Sequence, residues 1–183
     1  MVLQTVLVVC NGNIHRSVIA EICINQKLKK SGLENSIQCI SRGLQGTSGT
    51  PLPVGKNLKD YPKEWSLTKP ILDRLGIEIL ESQQSTPVDQ CTISRAGLIL
   101  AMDRGVLLDR DNSLVRQFPE HAFRMRLFRE LEGVADNVPD CFGSDDPDLY
   151  ELVICSIHRI AVEGLSTLIN LVQLFSSCKD PEE

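Results

Sequence analysis

The segment that most constrains the fold lies near the start of the chain. A β-branched apolar run, Val6 to Val9, meets a helical pattern beginning at Ser17 across one short polar loop, Cys10-Asn11-Gly12-Asn13-Ile14-His15-Arg16. A short, continuous apolar run of this kind predicts a strand buried on both faces, as in a parallel sheet covered by helices. After the loop, Ile19, Ile22, Cys23 and Leu28 fall on one side of a helix, with Gly32 as its expected stop. Strand, turn and helix in this order open an α/β layer fold with a mainly parallel sheet.

The rest of the chain continues the alternation. Further strands are expected at Ile37 to Ser41, Gly97 to Met102 and Met125 to Phe128, and a helix at Trp65 to Leu75 ended by Gly76. Ile77 to Leu80 reads as a short strand or an extended link. The stretch 43–64 is long for a connection and reads as a functional rim or an insertion. Residues 136–148 form an acidic, proline-containing loop. Leu149, Val153, Ile157, Ile160, Gly164, Leu168, Leu171 and Phe175 recur at steps of three and four, predicting one long final helix. A length of 183 residues suits one domain, expected over 1–178, with a frayed tail at 179–183.

Composition excludes several classes. Seven cysteines, an odd number with no C-x-x-C pair, argue against a disulfide framework or a zinc site and for reduced thiols in a cytoplasmic setting. A net charge of -5 argues against a nucleic-acid partner. The apolar N-terminus lacks a charged leader and runs into a glycine turn, so it reads as a strand rather than a signal peptide. Later apolar stretches are broken by charges well short of a membrane span.

The loop carries specific chemistry. In an open α/β sheet, ligands bind beyond the carboxyl ends of the strands. A loop entering a helix there turns backbone N–H groups of residues Asn11 to Arg16 inward as an anion nest, and the helix N-terminus adds partial positive charge. Arg16 can hold two phosphate oxygens in a fork. Gly12 and Asn13 tolerate positive φ. Cys10 sits at the bottom of this cup, where the same dipoles favour a thiolate able to attack phosphorus in line. Ser17 is placed to hydrogen-bond the sulfur. Against this stands the plainer reading of Cys10 as a small buried hydrophobe at a strand end.

The segment V-V-C-N-G-N-I-H-R-S-V-I-A-E resembles the signature of the low-molecular-weight protein tyrosine phosphatases, V-C-x-G-N-[I/T]-C-R-S-P-x-A-E. Ser41-Arg42-Gly43 is similar to the family's S-A-G, Leu98 to Asp103 to its L-I-L-A-M-D, and Val138 to Gly143 to its V-P-D-P-[F/Y]-[G/Y]. The resemblance implies a single three-layer, flavodoxin-like domain with a four-stranded parallel sheet flanked by helices. It implies cysteine-dependent hydrolysis of phosphotyrosine in a protein substrate through a thiophosphoryl-cysteine, with inorganic phosphate as product and no metal or organic cofactor. Cys10, Arg16 and Asp140 are then catalytic. Asn13, Ser17 and Ser41 support the loop, and Asn11, Gly12, Asn13, Ile14, His15 and Arg16 bind phosphate.

Ester cleavage needs an acid over the cup. Asp136, Asp140, Asp145, Asp146 and Asp148 are candidates. Asp140, preceded by Val-Pro and followed by an aromatic and a glycine, fits the family's acid, whereas Asp146 before the last helix fits a cap. The chain also departs from the pattern. His15 stands where a second thiol is expected, so it cannot protect Cys10 as a disulfide; as a cation it would favour the thiolate, and otherwise its ring points away from the cup. Val18 replaces a proline, Cys141 replaces the proline after the acid, and Gln83 stands near a supporting histidine, where it could bond Asn13 or Ser41. Arg42 reads as a solvated charge or an aid to phosphate attraction. The resemblance implies that Ile14 favours an aryl phosphate over phosphoarginine. Asn11, Tyr61, Trp65 and Phe142 are candidates for the substrate wall. A thiol-linked arsenate reductase and a non-catalytic phosphate-binding module remain alternatives.

Overall fold

The computed structural model describes residues 3–46 and 55–176. Four strands form one parallel sheet: β1 (Gln4–Cys10), β2 (Ile37–Gly43), β3 (Ala96–Ala101) and β4 (Met125–Leu127), in the order β2-β1-β3-β4. The alternation of β1 explains its apolar run. Val6, Val8 and Cys10 pack into one core, while Leu7 and Val9 enter a second core on the opposite face. A strand with helices on both faces leaves no position for a solvated side chain.

On the first face lie α1 (Arg16–Lys30), α2 (Pro62–Leu75), α5 (Pro147–Glu163) and α6 (Leu165–Ser176). On the second lie α3 (Gln90–Arg95) and α4 (Leu114–Gln117), with Val106 and Leu107 from the turns between β3 and α4. This is the expected three-layer α/β domain. Gly76 ends α2 in the left-handed region at φ 67°. Asp146 caps α5, accepting from the Asp148 N–H at 2.9 Å. Of the two options for 77–80, the chain takes the extended link.

The long final helix is corrected. The periodic stripe is split at Gly164 into α5 and α6, which are bent by 63°. A Cβ at Gly164 would lie 2.8 Å from the Leu131 Cβ and 3.0 Å from the Leu131 carbonyl oxygen. The Ile160 carbonyl oxygen would lie closer still, at 2.6 Å, so the crowding by Ile160 and Leu131 requires a glycine where the periodicity predicts continuity. The stripe survives because both halves face the same core. No single helix among the described residues is long and apolar enough to cross a membrane. The expected tail at 179–183 and the middle of the 43–64 stretch lie outside the described residues.

Candidate active site

The sheet order reverses at β1, whose neighbours β2 and β3 feed opposite layers. The crevice above its carboxyl end is where such folds bind ligands. Residues 10–15 leave β1 there and enter α1, whose first residue is Arg16. No side chain caps α1 and no acidic residue lies in its first turn, so its leading N–H groups keep their positive end for an anion. Asn13 is the one non-glycine residue with positive φ, 53°, among the described residues. Its turn brings the loop against β2. A Cβ at Gly43 would lie 3.1 Å from the Asn13 Cβ and 3.1 Å from the Gly12 carbonyl carbon, so the cup can rest on the end of β2 only over a glycine.

Hydrogen bonds fix the turn. Asn13 Nδ2 donates to Ser41 Oγ at 2.9 Å and to Ser17 Oγ at 3.2 Å, and its Oδ1 accepts from the Thr86 N–H at 2.9 Å. Ser41 Oγ in turn donates to Glu21 Oε2 at 2.5 Å. Burial pushes the Glu21 carboxyl up, and the bonds from Ser41 and the charge of Arg42 partly offset it. The expected part for Gln83 is not played. Its Oε1 accepts from the Leu80 N–H and its carbonyl accepts from Asn57. Glu21, the last residue of the recognised signature, and the Thr86 backbone do the supporting instead.

Cys10 is 4% exposed at the floor. Its Sγ receives the Asn13 N–H at 3.2 Å and lies 3.0 Å from Ser17 Oγ. The Arg16 guanidinium is almost wholly buried. Nη1 donates to Asp103 Oδ2 at 2.8 Å and to the Val138 carbonyl at 2.9 Å, and Nη2 donates to Asp140 Oδ2 at 2.6 Å. Burial opposes the Arg16 charge, but Cys10, Asp140 and Asp103 outweigh it and raise its pKa. Asp103, the end of the matched L-I-L-A-M-D run, orients the fork. Its other oxygen accepts from the Val106 N–H at 2.8 Å, fixing the carboxylate in turn.

Asp140 is brought over the cup, half-exposed, with Oδ1 accepting from the Phe142 N–H at 3.2 Å. Asp136 pairs with Arg129, Asp145 with Lys63, and Asp146 caps α5, so these three acidic candidates are engaged elsewhere. The resulting cavity of about 500 Å3 is lined by residues 10–12 and 14–16 of the loop, and by Gln45, Tyr61, Asp140 and Phe142. Tyr61 and Phe142 meet edge to face, with centroids 5.0 Å apart at 79°. Asn11 Oδ1 accepts from Arg110. Trp65 is not part of this wall; it packs on the core with Lys59 above its ring. Gln45, Arg110 and Asp103 were not singled out from sequence. Arg42 bonds its own strand, donating to the Ser41 carbonyl.

His15 is 2% exposed, and its ring points away from the cup. Nε2 lies 3.1 Å from Thr68 Oγ1 on α2, Nδ1 lies 3.7 Å from Cys141 Sγ, and the ring edge meets Tyr150. Burial, aided by the Arg16 charge, pulls its pKa down to about 3. The cationic role considered from sequence is therefore overturned; the ring is neutral. Every cysteine among the described residues is free, and among those residues no cluster of His, Cys, Asp or Glu could hold a metal ion.

Residues 5–170 match the family model for low molecular weight phosphotyrosine protein phosphatase. The chain belongs to that family. Membership makes it a cysteine-based phosphatase, acting on a phosphorylated protein and releasing phosphate. Solved structures share its fold. A YwlE mutant from Bacillus subtilis is 22% identical, with a TM-score of 0.71 over 91% of this chain and 99% of that one. The YwlE arginine phosphatase from Geobacillus stearothermophilus is 20% identical, with a TM-score of 0.69 over 98% and 99%. A low molecular weight protein tyrosine phosphatase from T. tengcongensis is 23% identical, with a TM-score of 0.69 over 90% and 99%. No curated protein matches the chain.

Proposed function

We propose that this phosphatase hydrolyses phosphotyrosine in proteins, with Cys10 as nucleophile, Arg16 and the backbone of residues 11–16 as the phosphate grip, and Asp140 as general acid. The observation that carries the reading is Cys10 Sγ at the base of a cavity walled by Tyr61 and Phe142. The wall suits a flat ring, and Ile14 in the lining adds apolar surface where a guanidinium would want polar partners.

In the first step the Cys10 thiolate attacks phosphorus and the ester P–O bond breaks. Asp140 gives its proton to the leaving phenolic oxygen. The phosphoryl oxygens draw on the Arg16 guanidinium, which frees Asp140 from its ion pair with Nη2. In the second step water attacks the thiophosphoryl group, Asp140 takes a proton from it, and the P–S bond breaks. The thiolate leaves toward Ser17 Oγ and the Asn13 N–H. Asn13, Ser17 and Ser41 act by holding the loop.

The test is turnover of a phosphotyrosine peptide beside a phosphoarginine peptide. Wild-type protein should cleave the first in preference, and Cys10→Ser should cleave neither while still binding inorganic phosphate. Undiminished turnover by Cys10→Ser, or preference for phosphoarginine, overturns the assignment. Asp140→Asn should lower kcat/KM, which reads the first step, by about 10²–10⁴-fold for an aryl phosphate with a poor leaving group and far less for an activated one. Equal losses on both would remove Asp140 from the acid's role.

A further inference from the structure

We infer that His15 and Cys141 form a buried latch that holds the Asp140 loop over the phosphate cup, making both positioning residues for the acid step. The inference rests on the proposed role of Asp140.

The cup and the acid loop come from opposite ends of the chain, and in the structure Arg16 is the visible tie between them. It holds Asp140 through Nη2 and Val138 through Nη1. That tie conflicts with catalysis, because a phosphoryl group draws on the same guanidinium. Protonation of Asp140 also removes the charge that makes the ion pair favourable. Other holds on the loop ignore both events, the Val138 N–H on the Met102 carbonyl at 2.8 Å and Lys63 Nζ on the Gly143 carbonyl at 3.2 Å, but a tie at the residue next to Asp140 fixes the acid most directly.

The contact behind the cup has these properties. Cys141 follows Asp140 directly, is 0% exposed, and places Sγ 3.7 Å from His15 Nδ1. His15 precedes Arg16 directly and is anchored on its far side to the buried Thr68 of α2 at 3.1 Å. Tyr150 of α5 closes the ring from its edge, with centroids 5.7 Å apart at 87°. Burial, and then the nearby Asp140 charge, pushes the Cys141 thiol up to about 12, so it keeps its proton. The thiol then donates to Nδ1, which assigns the proton of the neutral ring to Nε2 and makes Nε2–H the donor to Thr68 Oγ1. Both groups are neutral in this pair. Neither phosphate charge nor titration of Asp140 removes it. The two residues are also two of the chain's departures from the family signature, and the fold places them in contact across 126 positions.

The experiment compares Cys141→Ala and Cys141→Ser with the wild-type enzyme on phenyl phosphate, a poor leaving group, and 2,4-dinitrophenyl phosphate, a good one. Inhibition by inorganic phosphate reports on the cup. Cys141→Ala should lose about ten-fold in kcat/KM, which reports the first step alone, on phenyl phosphate, part of the ~10²–10⁴-fold a positioned acid contributes. It should change little on the dinitrophenyl ester and leave phosphate inhibition intact. Cys141→Ser keeps a donor to Nδ1 and should recover most of the loss. Equal losses on both esters, no loss at all, or a serine variant as impaired as the alanine one overturns the latch. Wild-type protein that cleaves neither ester overturns the functional reading instead, a result distinct from wild-type turnover with an unselective Cys141→Ala.

Discussion

Asn13→Ala should weaken the fold and the active site together, by an amount the geometry supplies. The side chain is 3% exposed and makes three hydrogen bonds, to Ser17, Ser41 and the Thr86 N–H. Removing three bonds at a net of about 1 kcal/mol each costs about 3 kcal/mol. Alanine in the left-handed region that Asn13 occupies adds roughly 1–2 kcal/mol, since it lacks the polar tip that eases that conformation. The total is roughly 4–5 kcal/mol. For a domain of this size each kcal/mol lowers Tm by about 2–4 °C, so the variant should melt roughly 8–20 °C lower. Asn13→Gly loses the same bonds but not the steric part, and should sit about 1 kcal/mol above the alanine variant. Equilibrium urea unfolding measures both. The Asn13 N–H also meets Cys10 Sγ, so kcat/KM on an aryl phosphate should fall with stability at temperatures where both variants are folded. An alanine variant that loses less than about 1 kcal/mol, or a glycine variant less stable than the alanine one, would refute the role given to this turn.

Two further outcomes follow from buried groups. His15 titrates near 6.5 when unfolded and at about 3 when folded, so between those values the unfolded chain binds the extra proton. Stability therefore falls with falling pH across that window, by up to about 1.4 kcal/mol per pH unit. In unfolding curves from pH 4 to 7, His15→Gln should lose one proton's worth of this slope, and an unchanged slope would contradict the burial of a neutral ring. Gly164→Ala places a Cβ 2.8 Å from the Leu131 Cβ and should destabilise by about 1–3 kcal/mol through overpacking. A neutral or higher Tm would show that the α5–α6 corner can relax.

What the sequence determined by itself is local. Val6 to Arg16 carries a strand, a turn and a helix start in one contiguous stretch, so Cys10, the inward N–H groups and Arg16 are brought together by short-range backbone geometry. The cap at Asp146 and the stop at Gly76 are legible for the same reason. Tertiary structure decided whatever joins distant parts of the chain. Periodicity shows that α5 and α6 share a stripe, but only the fold shows that they bend at Gly164, where Ile160 and Leu131 leave no room for a side chain. The signature contains Glu21 and the matched L-I-L-A-M-D run ends in Asp103, yet their bonds to Ser41 and Arg16 exist only after β2 and β3 flank β1. Gln83 looked like the support for the loop and faces Leu80 and Asn57 instead. His15 had two possible orientations in sequence. Burial against Thr68, Tyr150 and Cys141 selected the neutral one, because a charge could not be solvated there.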